Sequence, residues 1–244
     1  MSGEISEAVI LMAGSGTRLR GSDQTFLKPL VEVGGRPLVS YTFDALTKAG
    51  VSQIIAIVGF ESERLSAALK KLIPSGIQLK LIENRDWQKQ NGISVLAARK
   101  HVTAPFLLTM CDHLFDPAIV DLLIKRANPG VLNLAVDRKL DSFFDLADAM
   151  KVQTRGDRVI EIGKTLSNYD AIDTGLFICP GEIFDYLERA KSRNGGSDCS
   201  LADGVRLMAA DGKVCAIEIG DAWWQDVDTP EMLRHAENSL RQTR

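Results

Sequence analysis

No run of apolar residues here is long enough to cross a bilayer or form the core of a leader peptide. The longest N-terminal one, Ala8 to Ala13, is too short for either and follows no basic run. The expectation is a cytoplasmic protein without direct membrane insertion. Paired cysteines are also missing: Cys111, Cys179, Cys199 and Cys215 lie far apart with no CxxC, which removes the usual signals for a zinc site or redox couple and leaves buried or idle thiols. Charge of one sign is not in excess, since 29 basic and 32 acidic residues are interspersed and sum to −3. No general electrostatic pull toward nucleic acid follows. Aromatic residues make up only 6%, which leaves few rings for a cage around a quaternary ammonium ligand. The GxxxxGK[ST] phosphate loop is absent and Leu19 breaks the GxGxxG dinucleotide pattern. An anionic ligand must therefore be held by some other local device.

What is present is an ordinary globular composition, 45% hydrophobic and 25% charged over 244 residues, enough for one α/β domain with a full core. Val- and Ile-rich runs predict strands near 7–12, 53–58, 77–82, 106–110 and 130–136. Amphipathic segments predict helices near 37–48, 62–72, 91–100 and 117–126. The alternation reads as a doubly wound, mostly parallel Rossmann-like sheet. After Val136 the pattern changes to a β-rich extension. "KVQTRGDRVIEI" predicts a hairpin about Gly156-Asp157, "DTGLFIC" a strand, 180–190 and 200–210 helices, and "VCAIEI" and "WWQDV" short strands. Ser200 with Asp203 predicts a capping box, and Thr229-Pro230-Glu231 opens the last helix. "SRNGGSD", Ser192 to Asp198, is read as a loop within a single domain over 1–244, whose nucleotide-binding half is about 1–136 and acceptor-binding half 137–244.

Ligands of open α/β sheets bind at the carboxyl ends of the strands, and "AGSGTR" stands at such an end. Gly14 and Gly16 let the backbone curl so that its N–H groups meet phosphate oxygens, while Arg18 and Lys28 add charge. A plain strand-to-helix turn explains the glycines equally well when they are taken alone. "GSGTR" followed by "LKPL" resembles the opening of the nucleotidyltransferases that join a nucleoside triphosphate to a phosphorylated sugar or alcohol. With "NGISVLAA", "CDH", "VDR", "IGK", "DTGLF" and "DVDTP" in order over nearly the whole chain, the closer resemblance is to the CTP:inositol-1-phosphate cytidylyltransferases.

The resemblance implies roles. The triphosphate would lie along Leu11, Ala13, Gly14, Ser15 and Gly16, with Arg18 and Lys28 neutralising charge as pyrophosphate leaves. Asn91, Gly92 and Ser94 would meet base and ribose, although an ordinary helix N-terminus is the other reading of those three. Asp112, at a strand end, and Asp226, in the late Trp-x-Asp motif, would bind Mg²⁺; Asp228 would stand behind them or support the turn before Thr229. Lys164 would hold the acceptor phosphate, with Asp173 and Gly175 lining the acceptor site. Apart from the family, Asp173 is a polar strand start and Gly175 a bulge. Arg138 and Lys151 are weaker acceptor-phosphate candidates, each open to a structural ion pair. His113 is expected beside the metal aspartate without acting as a base. Two departures stand out: "CD" replaces the relatives' usual "GD", and "GSDQTF" replaces a basic, proline-containing spacer.

The implied partners are CTP and a phosphorylated polyol or alcohol, without nucleic acid, and a homodimer is open to the chain. A membrane-bound phosphotransferase consuming the product is implied only by the resemblance. The acceptor phosphate is already a nucleophile at neutral pH, and no Ser-His-Asp arrangement is visible. On this reading Lys28→Ala reduces turnover by orders of magnitude with little effect on folding. The rival acceptors are phosphocholine, for which Phe143, Phe144, Tyr169 and Trp223 are the available rings, and a sugar 1-phosphate. A noncatalytic regulatory nucleotide-binding subunit is the rival outside the enzyme class. Molybdopterin nucleotidyltransferases share the glycine loop but not the "IGK", "DTG" and "DVDTP" half.

Overall fold

A computed structural model of the chain describes residues 5–20, 26–142 and 145–242. Phe143 and Phe144, and most of the spacer "GSDQTF", lie outside the described residues. The chain runs through β1 (Glu7–Leu11), α1 (Thr17–Arg20), the short ribbon β2 (Glu32–Val33) and β3 (Arg36–Pro37), α2 (Leu38–Lys48), β4 (Gln53–Val58), α3 (Ser62–Leu72), β5 (Gln78–Glu83), α4 (Asn91–Ala97) and β6 (Phe106–Met110). It continues through β7 (His113–Phe115), α5 (Pro117–Arg126), β8 (Leu132–Asp137), β9 (Lys151–Arg155), β10 (Arg158–Gly163) and β11 (Ala171–Cys179). It ends with α6 (Ile183–Arg193), α7 (Leu201–Ala210), β12 (Val214–Glu218), β13 (Trp224–Asp226) and α8 (Pro230–Gln242).

Nine strands form one sheet in the order β5-β4-β1-β6-β11-β8-β12-β10-β9. Strands of both halves of the chain share it. The run from β5 to β6 is parallel, and its apolar residues on both faces follow from being covered on both sides. Strand alternation sorts the core. Val9, Leu11, Ile55, Ile57, Phe106 and Leu108 pack on one side with α4, α6 and α7. Ala8, Ile10, Ile54, Ala56 and Leu107 pack on the other with α2, α3 and α5. Ser200 and Asp203 make the expected reciprocal cap of α7, and Thr229 Oγ1 accepts from Met232 N at 3.2 Å at the start of α8. The "SRNGGSD" loop is tied back at its end, where Asp198 Oδ1 accepts from Gln90 N at 3.0 Å. Cys111, Cys179 and Cys199 are buried free thiols, and Cys215 is half-buried and free.

Two features position the site. The first is β11, which lies antiparallel between β6 and β8, a placement that strand patterning alone does not specify. Its register shifts between Asp173 and Phe177, where Gly175 takes φ +75° and Thr174 Oγ1 donates to Ala135 O at 2.9 Å. The bulge splits the strand's pairing, so Ala171 and Ile172 reach β9 while Phe177 to Cys179 pair with β6. Such bulges re-aim side chains. The second is the ribbon of β7 and β13, which pairs His113 with Asp226 and so carries the late acidic motif to the end of β6.

Candidate active site

Two cavities meet at the carboxyl ends of the parallel strands. A cleft of about 330 Å³ runs along Leu11, Ala13, Gly14 and Gly16 and is walled by Arg18, Lys28, Asn91, Ser94 and Asp112. A second cavity of about 220 Å³ contains His113, Asp148, Lys164, Asp173, Gly175 and Asp226. Asn91, Met110 and Asp228 belong to both. Ser15 and Gly92 are not among the residues bordering the cleft.

The glycine loop earns its composition at Gly16. Its φ is +63°, and a Cβ there would stand 2.8 Å from Lys28 Cβ, so glycine is what lets the loop close over the lysine. Lys28 begins a one-turn helix, Lys28–Leu30, and is 8% exposed. Its Nζ donates to Asp112 Oδ2 at 2.6 Å and to Asp228 Oδ1. Burial works against its charge, but the two carboxylates outweigh burial and hold the ammonium above its ordinary pKa. In Asp112 burial pulls upward, yet Lys28 and His113 hold the carboxyl well below the usual carboxylate range.

Arg18 donates from Nη2 to Asp228 Oδ2 and from Nη1 to Asp148 Oδ2, each at 2.5 Å. Lys164 Nζ donates to the other oxygen of Asp148 at 2.5 Å. The result is one alternating series of charges, Asp112, Lys28, Asp228, Arg18, Asp148, Lys164, which passes from the cleft into the second cavity. Asp228 is thus a direct partner of both cleft cations. That revises the expectation that it stands behind Asp226 or serves the turn.

Asp226 faces the second cavity, where burial, aided by Asp228 and Asp112 and opposed by His113, pushes its pKa up. Asp112, Asp226 and Asp228 offer only hard carboxylate oxygens, the donor set that suits Mg²⁺. Among the described residues no three His, Cys, Asp or Glu side chains are grouped to hold a metal.

His113 stacks on Trp224, with centroids 5.9 Å apart and 12° between planes. Its Nδ1 lies 2.8 Å from Asp112 Oδ1, and because a carboxylate can only accept, Nδ1–H is the donor. Burial lowers its pKa, and Asp112 more than reverses this. Gly175 makes room for the ring, since a Cβ there would sit 2.5 Å from His113 Nε2. Asp173 Oδ1 accepts from Gly175 N at 2.7 Å. Burial, only partly opposed by that bond and by His113, raises the Asp173 pKa to about 6.

Several of the expected ligand residues also make structural contacts. Asn91 Oδ1 accepts from Leu201 N at 2.8 Å, joining α4 to α7. A Cβ on Gly92 would stand 2.6 Å from Cys199 O, so this glycine serves helix packing. Ser94 Oγ accepts from Asn84 Nδ2 at 3.0 Å. Arg138 is held by Asp170 and by Thr154 Oγ1 at 2.9 Å. Lys151 Nζ donates to Lys164 O at 2.8 Å. Neither Arg138 nor Lys151 borders the second cavity; Arg138 takes the ion-pair alternative, while Lys151 is tied to a backbone carbonyl. Trp87 and Lys89 wall the cleft without having been anticipated. Their signal was an aromatic and a cation in the loop just before "NGIS". Asp148 had no local signal at all.

Among solved structures, the inositol-1-phosphate CTP transferase from T. maritima superposes with a TM-score of 0.86 at 24% identity, over 99% of this chain and 98% of that one. UDP-glucose pyrophosphorylase in complex with UDP-glucose gives 0.84 at 16% identity, over 98% and 100%. Both establish the nucleotidyltransferase fold. In sequence, the bifunctional IPC transferase and DIPP synthase of Rubrobacter xylanophilus is 36% identical over 235 residues, 96% of this chain and 51% of that protein. The chain thus spans about half the length of this curated relative. The family of MobA-like NTP transferase domains matches residues 8–198, from the first strand through the glycine loop, "IGK" and "DTG". With the glycine loop, the sheet and the family match in agreement, the chain belongs to the MobA-like NTP transferase family.

Proposed function

We propose that this chain transfers the cytidylyl group of CTP to inositol 1-phosphate, giving CDP-inositol and pyrophosphate. The observation that carries the reading is the pair of cavities joined at Asp228, one with the glycine loop, Arg18 and Lys28, the other with its own cation, Lys164. Two phosphorylated substrates need two cationic seats that touch. Support for the particular pair comes from the relatives, whose names specify inositol 1-phosphate, CTP and IPC transfer.

Leu11, Ala13, Gly14 and Gly16 take the triphosphate, and Asn91 and Ser94 shape the side facing base and ribose. Lys164 holds the acceptor phosphate, while Asp173 accepts from ring hydroxyls beside Gly175. An oxygen of the acceptor phosphate forms a bond to the α-phosphorus as the α–β anhydride bond breaks and its electron pair leaves with pyrophosphate. No proton has to be removed from the nucleophile. The chain contributes alignment and charge: Arg18 and Lys28 stabilise the negative charge that develops on the leaving group. Asp112 and Asp226, with Asp228 beside them, would hold Mg²⁺, which supplies charge neutralisation on the triphosphate when bound. On this reading one domain does the work, residues 1–136 serving the nucleotide and 137–244 the acceptor. Among the described residues no helix is long and apolar enough to cross a membrane. Both substrates are water-soluble, which suits a cytoplasmic site.

Among the described residues Trp224 is the one Phe, Tyr or Trp bordering the acceptor cavity, and its ring is stacked on His113. That disfavours a choline cage and favours a polyol. Pyrophosphate release with Mg²⁺, measured for four nucleoside triphosphates against inositol 1-phosphate, phosphocholine and glucose 1-phosphate, tests the reading. Release is expected for CTP with inositol 1-phosphate. Another productive pair would replace the substrates while keeping the chemistry, and silence with intact CTP binding would favour a regulatory subunit.

A further inference from the structure

The carboxylate of Asp148 bonds Arg18 through one oxygen and Lys164 through the other, both at 2.5 Å. These two cations stand in different cavities. Asp148 itself lies between Leu140–Ser142 and β9, is 38% exposed in its side chain, and its own backbone N–H reaches Asp145 Oδ1 at 3.4 Å. No packing need explains a carboxylate there.

We propose that Asp148 is a positioning residue that couples the two substrate sites, holding Arg18 and Lys164 in a closed, substrate-free arrangement that the first phosphate-bearing ligand must open. The proposal rests on the reading of the two cavities as donor and acceptor seats. A phosphate brought to Arg18 competes with Asp148 for Nη1 and repels the carboxylate. A phosphate brought to Lys164 does the same from the other side. Since both ligands require Asp148 to be displaced, the free energy of opening falls on whichever binds first. The second then meets a cation already released. Two ligands that share one open state bind with positive and reciprocal coupling.

The consequence for specificity is that a ligand carrying phosphate at only one seat opens the site without filling it. Asp148, once displaced, remains in the acceptor cavity with Asp145 and Asp173, where carboxylates can accept polyol hydroxyls.

Titration calorimetry on the full chain with Mg²⁺ tests this, using CTP and inositol 1-phosphate singly and together in wild type, Asp148→Asn and Asp148→Glu. In wild type each ligand should tighten the other by about tenfold, within the usual range of allosteric coupling. Asp148→Asn should bind each ligand alone more tightly and reduce the coupling toward unity, while Asp148→Glu, which keeps the charge, should retain it. Unchanged or weaker single-ligand binding in Asp148→Asn overturns the proposal, as does identical behaviour of the two variants. Pyrophosphate, which needs only Arg18 and Lys28, separates this from the choice of substrates. If wild type ignores CTP and inositol 1-phosphate but Asp148→Asn binds pyrophosphate more tightly than wild type does, the substrate reading fails and the coupling role stands.

Discussion

The cleft and the acceptor cavity use the same ingredients, cations paired with carboxylates, in opposite physical settings. In the cleft, Lys28 is 9% exposed in its side chain and holds two carboxylates. In the acceptor cavity, Lys164 is 50% exposed and shares one carboxylate with Arg18. A buried, doubly paired cation is part of the folded core, whereas a half-exposed one is adjustable. On the proposed reading, the fixed charge serves the leaving group and the adjustable one the entry of the second substrate.

The sharpest way to break this contrast is Lys28→Ala. Loss of one preorganised charge donor should lower turnover by about 10²–10³-fold. Unlike the expectation from sequence, it should also destabilise the protein, by about 3–5 kcal/mol, because Asp112 and Asp228 lose the cation between them. Urea unfolding beside pyrophosphate release checks both, and unchanged stability would place Lys28 on the adjustable side. Gly175→Ala asks how rigid the acceptor wall is. A side chain at φ +75° meeting His113 should cost about 1–3 kcal/mol and disturb the stacking of His113 on Trp224, readable as a change in tryptophan fluorescence.

Lys164→Ala should show the opposite profile to Lys28→Ala. The acceptor KM should rise about tenfold, equivalent to about 1.4 kcal/mol, while stability stays within about 0.5 kcal/mol because exposed ion pairs contribute little. Steady-state kinetics and a melting curve distinguish the two. Asp173→Asn gives the smallest effect and a pH signature. The folded pKa of Asp173 is raised to about 6, above the ordinary carboxylate value, so the folded state holds this proton more tightly than the unfolded one. Its ionised form therefore opposes folding above about pH 6, and the penalty fades as pH falls toward about 4. The variant should be more stable than wild type at pH 7, equal to it near pH 4, and poorer with the acceptor. A stability gain that did not shrink with acid would remove the ionised carboxylate as its cause.

Much of the fold was legible because its signals are local. Apolar runs such as "QIIAIV" can only be buried strands, the hairpin announces itself at Gly156-Asp157, and the caps at Ser200 and Thr229 use side chains next to the backbone groups they satisfy. The glycine loop, Arg18, Lys28 and Asp112 come from neighbouring strand ends in the first half, so their spacing survives in the sequence. The acceptor side was legible only as separate motifs. Asp228 was ranked behind Asp226 because Asp226 is the one that matches the late Trp-x-Asp position of the relatives. Nothing near Asn91 and Gly92 in sequence shows that Asn91 also accepts from Leu201 of α7 or that Gly92 packs against Cys199.

By itself, then, the sequence determined the parallel α/β layering, the helix ends, the phosphate-type loop and which residues carry charge, since these depend on periodicity and near neighbours. Only the tertiary structure decided that β11 enters antiparallel with its bulge at Gly175 and that the β7–β13 ribbon sets Asp226 against His113. It also decided that Asp148 joins Arg18 to Lys164, cations from opposite halves of the chain, and that Asp228 reaches back to Arg18 and Lys28. Those arrangements are fixed by contacts distant in sequence, more than a hundred residues apart for Arg18 with Asp148 and Asp228. Their physical basis is the mutual compensation of charges removed from water, which no local pattern encodes.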